Sequence, residues 1–216
     1  MREDLEQQEQ MEAIKGWWKE NQRWVVGLLL AAALASAGYT GWNYYQASRA
    51  QKAMVLLEAL NKAIESQDLE KAKAAAQPIF DSYKGLAQAD MAALQLARLA
   101  ANSGDLDAAR AALAVAQGSQ DSSLAWIART RLAAVLLDQS KPQEALKALE
   151  GSPPEAVKPL VDDRRGDVYA ALGQPTEALA AWSAARTALA PDAAPRTLDL
   201  IDRKMAVIAA EQKGKK

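Results

Sequence analysis

The chain contains no cysteine and no histidine among its 216 residues. Without cysteine it can form no disulfide, offer no thiol nucleophile and carry no lipid on a cysteine. Without histidine it lacks the commonest general base and the commonest metal ligand of proteins. The two absences remove most familiar catalytic and metal-binding arrangements, and the lack of cysteine suits an oxidising compartment.

Phenylalanine and net charge are also scarce. The chain has one phenylalanine, a formal net charge of -1 and a pI near 5.7. A nearly neutral chain offers no electrostatic reason to bind nucleic acid. Alanine and leucine dominate the composition and β-branched runs are few, which favours helices over strands. We therefore expect an all-α protein without a nucleic-acid partner.

One uncharged run, from Trp24 to Trp42, organises the chain. As a helix it would be ~28 Å long, close to the ~30 Å hydrocarbon core of a bilayer. A helix satisfies its own backbone hydrogen bonds in lipid. We therefore expect a transmembrane helix over residues 24–45, a tail over 1–23 and a soluble domain over 46–216. The aromatic residues expected at the two membrane interfaces are Trp17, Trp18 and Trp24 on one side and Trp42, Tyr44 and Tyr45 on the other.

The charges beside this span predict its orientation. Lys15, Lys19 and Arg23 lie close to its amino-terminal side and favour a cytoplasmic amino terminus. The long domain that follows would then lie across the membrane. A competing interpretation is a cleaved signal peptide, because residues 35–37 read Ala-Ser-Ala. Against cleavage, the preceding tail is long and not net positive, and the uncharged run continues past this site to Tyr45.

A small residue recurs at nearly constant spacing through the soluble domain. Ala72, Ala109, Ala145 and Ala178 are 37, 36 and 33 residues apart, each within a short amphipathic run. Turn signals precede the last three runs at 103–105 (Ser-Gly-Asp), 140–142 (Ser-Lys-Pro) and 173–175 (Gly-Gln-Pro). This periodicity is typical of a helical solenoid with one helix pair per repeat.

The last unit has the clearest repeat pattern. Its residues Gly166, Tyr169, Leu172, Gly173, Glu177, Ala178, Trp182, Ala185 and Pro191 resemble a tetratricopeptide repeat. Gly166 and Ala178 are small where two helices would cross closely, and Trp182 would fill the core beside them. Asp162 and Arg165 depart from the pattern, which has Trp and Leu at these positions. A final helix over about 197–211 should cap the array before a basic tail that ends at residue 216.

No catalytic constellation is present in the sequence. Neither a nucleophile elbow nor a phosphate-binding glycine loop occurs, and a serine nucleophile would have no histidine. Asp162, Asp163, Asp199 and Asp202 lack the spacing of a calcium loop and suit a solvated helix face. We therefore expect no enzyme activity, no metal, no cofactor and no small-molecule substrate.

Two stretches that flank the span point to a family. Residues 12–21 read Glu-Ala-Ile-Lys-x-Trp-Trp-Lys-Glu-Asn and residues 41–45 read Gly-Trp-x-Tyr-Tyr. Both resemble the YfgM family, single-span inner-membrane proteins of Gram-negative bacteria described as ancillary subunits of the SecYEG translocon. The resemblance implies a cytoplasmic tail and a periplasmic tetratricopeptide-like domain. It also implies association with the translocon and with a membrane-anchored periplasmic chaperone of the PpiD type.

Three functional hypotheses follow. The leading one is a membrane-tethered, non-enzymatic adaptor with chaperone-like character, which holds a protein-binding repeat surface beside the translocon. The second is an envelope scaffold or stress-signalling regulator that acts through its cytoplasmic tail. The third, more distant, is a carrier or hydrolase accessory with a carboxylate site.

Partner-binding residues are expected on the inward face of the first helices of successive repeats. The register set by the recurring alanines assigns six polar residues to that face, and ordinary solvation is the alternative reason for their polarity. These residues are Arg98, Asn102, Thr130, Asp138, Asp163 and Asp167.

Overall fold

The computed structural model describes residues 2–189 and 194–214, with the backbone alone for residues 2–6, 8 and 9. Pro191 of the repeat pattern and the last two lysines of the basic tail lie outside the described residues. All regular structure in the described part is helical. The helices are α1 Arg2–Glu65, α2 Leu69–Ser82, α3 Ala87–Asn102, α4 Leu106–Ala116, α5 Ser122–Asp138, α6 Pro142–Ala148, a 3₁₀ turn Glu155–Val157, α7 Lys158–Ala171, α8 Pro175–Ala188 and α9 Pro195–Gly214. The chain divides into two compact units, Met1–Arg49 and Ala50–Lys216.

The first unit is the amino-terminal part of α1, and its large apolar side chains are exposed. Trp24 is 84% exposed, and Leu28 and Leu34 are each 73% exposed. Among the described residues this is the one helix long and apolar enough to cross a membrane. The separate helix expected to begin at Ser48 is not seen, because α1 continues without a break to Glu65. No glycine or proline lies between Trp42 and Glu65 to end it.

The second unit is built from helical hairpins joined by one kind of turn. Each turn has a residue in the left-handed region, with φ of 54° at Gln67, 81° at Gly104, 58° at Ser140 and 70° at Gly173. In each turn the next amide donates back across the end of the helix, a Schellman arrangement that satisfies terminal carbonyl groups. The four bonds are Asp68 to Ala63 at 3.1 Å, Asp105 to Ala100 at 2.9 Å, Lys141 to Leu136 at 2.8 Å and Gln174 to Tyr169 at 2.9 Å.

The recurring alanines lie where the helices of each hairpin cross. Ala72, Ala109, Ala145 and Ala178 are all 0% exposed, as the repeat register predicts. Their small side chains allow the paired helices to approach closely, so neighbouring leucines and Trp182 close the core. The structure confirms the all-α, tetratricopeptide-like architecture.

The departures from the repeat pattern in α7 hold a loop in place. Asp162 is 7% exposed and accepts from Arg165 at 3.1 Å. The Arg165 guanidinium also donates to the carbonyl oxygens of Leu149 at 2.8 Å and Gly151 at 2.9 Å. An ion pair thus occupies positions that usually hold apolar residues, and it ties the loop after α6 to α7.

Consecutive first helices of the hairpins form one layer. α3 contacts α5, α5 contacts α7, and each also packs on the second helix of the hairpin before it. The capping helix α9 packs on α8. It extends from Pro195 to Gly214, slightly longer than expected. The first-helix layer carries the largest cavities described below.

Candidate protein-binding groove

Two cavities lie side by side on the first-helix layer. One has a volume of about 540 Å³ and is lined by the last turn of α1 together with α3 and α5. The other has a volume of about 550 Å³ and is lined mainly by α3, α5 and α7. Arg98 and Arg131 line both cavities, so the two adjoin at these side chains. We call the two cavities together the inner groove.

Four of the six predicted partner-binding residues line the second cavity. Arg98 and Asn102 reach it from α3, and Thr130 and Asp138 reach it from α5. Thr130 is 2% exposed, and its hydroxyl donates to the carbonyl oxygen of Trp126 at 2.8 Å. Its polar group is therefore already bonded within α5, whereas Arg98, Asn102 and Asp138 are exposed to solvent.

The structure places Asp163 and Asp167 elsewhere, against the capping helix. The ammonium group of Lys204 lies 2.8 Å from a carboxylate oxygen of Asp163 and 2.7 Å from one of Asp167. The Trp182 indole N–H donates to the carbonyl oxygen of Asp163 at 3.1 Å and to the Asp167 carboxylate at 3.2 Å. The expectation that both are free groups in the groove is corrected, because α9 brings a lysine onto them.

A column of residues at equal spacing runs along the inner groove. Glu65, Arg98, Arg131 and Arg164 each line one or both cavities, and they are 33 residues apart in sequence. They come from α1, α3, α5 and α7 in turn, so they occupy equivalent positions of successive first helices. The sequence analysis identified only Arg98 in this column. The constant interval of 33 residues is the signal that would have revealed Arg131 and Arg164.

The three arginines of the column have different surroundings. Arg164 forms an ion pair with Asp167 at 2.9 Å. Arg98 and Arg131 form no salt bridge with any residue that the structure describes. Partial desolvation of its guanidinium and the nearby charge of Arg98 lower the pKa of Arg131 below its usual value. Arginine remains charged at neutral pH, so the groove presents two uncompensated positive charges.

The walls of the inner groove are apolar beside these charges. Met91 lines the first cavity and is 47% exposed, and Leu160 lines the second and is 43% exposed. Leu94 and Ile127 extend the two apolar surfaces. Exposed apolar side chains next to polar groups are the usual composition of a protein-binding surface.

The acidic residues of the second unit are not arranged for metal binding. Within the described ranges, no group of three or more Asp or Glu residues could hold a metal ion. Asp199 accepts from Arg203 at 2.7 Å and Asp202 from Arg186 at 2.6 Å. The pKa of Arg186 is raised by this bond. These carboxylates are committed to ion pairs between and within helices.

The expected membrane-interface residues lie on the surface of α1. All six are exposed: Trp17, Trp18, Trp24, Trp42, Tyr44 and Tyr45. The rings of Trp42 and Tyr45 are 6.0 Å apart, and the Arg49 guanidinium lies 5.9 Å from the centre of the Tyr45 ring. Such a cluster of aromatic and basic side chains suits the headgroup layer at the end of a span.

Comparison with known proteins assigns this architecture to a family. A family model described as a tetratricopeptide repeat-like domain matches residues 15–210. A protein of Neisseria gonorrhoeae named ancillary SecYEG translocon subunit is 33% identical over 196 residues, which cover 90% of this chain and 94% of that protein. A protein of the same name from Haemophilus influenzae is 31% identical over 146 residues, 66% of this chain and 70% of that protein.

A third protein with that name, from Aggregatibacter actinomycetemcomitans, is 28% identical over 148 residues, 67% of this chain and 71% of that protein. No solved structure matches the chain. The family match spans the apolar helix and the repeats alike, so it does not rest on the repeat pattern alone. The chain therefore belongs to the tetratricopeptide repeat-like family that contains these proteins, the YfgM family.

Proposed function

We propose that this protein is a membrane-tethered adaptor of the SecYEG translocon that binds other proteins through the inner groove. The observation that carries the proposal is the match to a translocon subunit over 90% of the chain. The groove supports it by offering exposed apolar and charged side chains on consecutive first helices. The membrane helix supplies the mechanism, because a tether raises the effective concentration of a weak binding surface beside its target.

The proposed topology follows the charges and the span. Residues 1–23 form a cytoplasmic tail, residues 24–45 cross the inner membrane and residues 46–216 lie in the periplasm. Protease added to spheroplasts should digest the repeat domain and leave a small protected fragment. Protection of the full chain would contradict this orientation, and a mature protein that begins near Gly38 would contradict the anchor.

The proposed partners are proteins near the translocon exit, among them a periplasmic chaperone of the PpiD type, with the adaptor acting as a chaperone-like holder. Photo-crosslinking in cells tests this most directly. A benzoylphenylalanine at Asn102 or Asp138, both exposed in the groove, should crosslink to translocon subunits or to the chaperone. The same residue at Ala184, exposed on α8, is the matched control and should give no such product. Equal crosslinking from both faces would contradict binding through the groove.

A second function is favoured by one observation, the unbroken course of α1. Because this helix has no interruption from Arg2 to Glu65, the cytoplasmic tail and the first repeat helix belong to one element. The protein would then be a regulator whose tail is the output. Deletion of residues 1–21 separates the two functions. Translocon association that survives the deletion supports the adaptor, whereas loss of every phenotype supports the regulator.

A further inference from the structure

Two neighbouring positive charges lie at the centre of the inner groove. Arg98 and Arg131 line both cavities, and the helices that carry them are in contact. Neither forms an ion pair with a described residue, whereas the third arginine of the column is neutralised by Asp167. Like charges side by side repel each other, and an anion placed between them removes that repulsion. A carboxylate suits this position well, because planar guanidinium groups match its geometry.

Apolar surfaces flank the two arginines on both sides. Met91 and Leu94 lie in the first cavity, and Ile127 and Leu160 lie in the second. A small inorganic anion would contact the charges and leave these side chains exposed. A polypeptide segment can cover both surfaces and supply the anion as well. The combination therefore favours a peptide over a free anion.

We propose that the inner groove binds an extended segment of a partner protein in which an Asp or Glu side chain is flanked, two residues away on each side, by an apolar residue. In an extended chain the residues at i−2, i and i+2 share one face and are spaced ~7 Å apart. Packed helices are about 8–10 Å apart, so this spacing spans adjacent first helices. The central carboxylate then lies between Arg98 and Arg131, and one apolar side chain enters each cavity. The inference rests on the proposed function and names the chemistry of its partner segment.

Two fluorescent peptides test the inference against the full-length protein in phosphatidylcholine nanodiscs. The acidic peptide has the core Leu-Ser-Glu-Ser-Leu between Gly-Ser flanks, with both termini blocked. The amide peptide has Gln in place of Glu. The acidic peptide should bind about tenfold tighter, equivalent to ~1.4 kcal/mol. Added salt should reduce the difference, because the site is open to solvent.

Substitutions locate the effect. The double variant Arg98→Gln/Arg131→Gln should bind both peptides equally and keep the melting temperature of the wild type, because both side chains are exposed. Arg203→Gln is the charge-matched control. Its side chain on α9 is 74% exposed and does not line the groove, so the tenfold preference should remain. Equal binding of the two peptides by the wild type overturns the inference without any variant, and so does failure to bind either peptide.

Two further arms exclude other sources of the anion. An amide peptide with a free carboxyl terminus that outbinds the blocked acidic peptide would assign the arginines to chain ends and overturn the inference. Phosphatidylglycerol nanodiscs that abolish peptide binding through Arg98 and Arg131 would assign the pair to lipid headgroups, with the same consequence. The adaptor proposal is judged separately by crosslinking from Asn102, so groove crosslinks without acidic preference leave it standing.

Discussion

Replacing Gly166 by alanine would bring a methyl group into the indole ring of Trp182. A Cβ at Gly166 would lie 2.4 Å from the Cδ1 and Nε1 atoms of that ring and 2.7 Å from Cε2. Carbon atoms in favourable contact are ~3.5–4.0 Å apart, so the ring or α7 must move. The ring is not free to move, because it is 3% exposed and its N–H bonds to Asp163 and Asp167.

The expected loss of stability follows from three contributions. Overpacking a tight core costs about 1–3 kcal/mol. Displacing the ring weakens an indole hydrogen bond worth about 0.5–1.5 kcal/mol. Alanine offsets about 1 kcal/mol of this loss as the better helix former. Gly166→Ala should therefore reduce the free energy of unfolding by about 1–3 kcal/mol, a fall in melting temperature of roughly 2–12 °C for a domain of this size.

Thermal unfolding of the full-length protein in detergent, followed by circular dichroism, measures this effect. Gly118→Ala is the matched control, because its Cβ would meet only a backbone oxygen at 3.4 Å. Its melting temperature should stay close to that of the wild type. Adding Trp182→Leu to Gly166→Ala should give a loss smaller than the sum of the two single losses, since the smaller side chain makes room for the methyl. A Gly166→Ala protein as stable as the wild type would refute the packing argument.

Other predictions concern the same domain. Trp182→Ala should cost about 3–5 kcal/mol of unfolding free energy, and an unchanged melting temperature with lost partner binding would contradict a core role. Arg165→Ala should cost about 2–4 kcal/mol, because it frees two carbonyl groups and a buried carboxylate, and urea titration measures it. Asp105→Asn should keep the cap of α4 but lose the 2.7 Å ion pair with Lys73. Because the bond to this lysine lowers the pKa of Asp105, the stability lost in the variant should be present above about pH 4 and disappear as the pH falls below it. Residues 46–216 alone should give a fully helical circular dichroism spectrum in chelator, and unfolding by chelation would contradict this.

The local features of the repeats were predictable from sequence because neighbouring residues determine them. Gly104 and Gly173 mark turns that need a left-handed residue, and Asp105 caps the next helix through its own side chain. The alanine spacing identified the crossing points, since only a small side chain fits there. Gln67 and Ser140 adopt the same left-handed conformation without being glycine. At those two turns the repeat register, more than the residue type, predicts the structure.

The inner groove was only partly predictable, since the alanine register identified a face but not the residues on it that share a cavity. Arg98 was identified as a polar residue on a face expected to be concave. Arg131 was missed because it directly follows Thr130, which the same register selected, although Thr130 is buried and bonded to Trp126. An error of one residue along a helix rotates the side chain by about 100°. The 33-residue column needed no such register, because it compares first helices with one another.

The positions of Asp163 and Asp167 could not be read from their own helix. Both lie on α7, the last first helix of the array, so the side that other first helices present to a following repeat meets the capping helix instead. Lys204 then forms ion pairs with both carboxylates and lies 5.9 Å from the Trp182 ring centre. A carboxylate that would line a groove in an interior repeat therefore becomes part of the end of the array. The asymmetry explains why the uncompensated charges are on α3 and α5, and it makes the inner groove a property of the interior repeats.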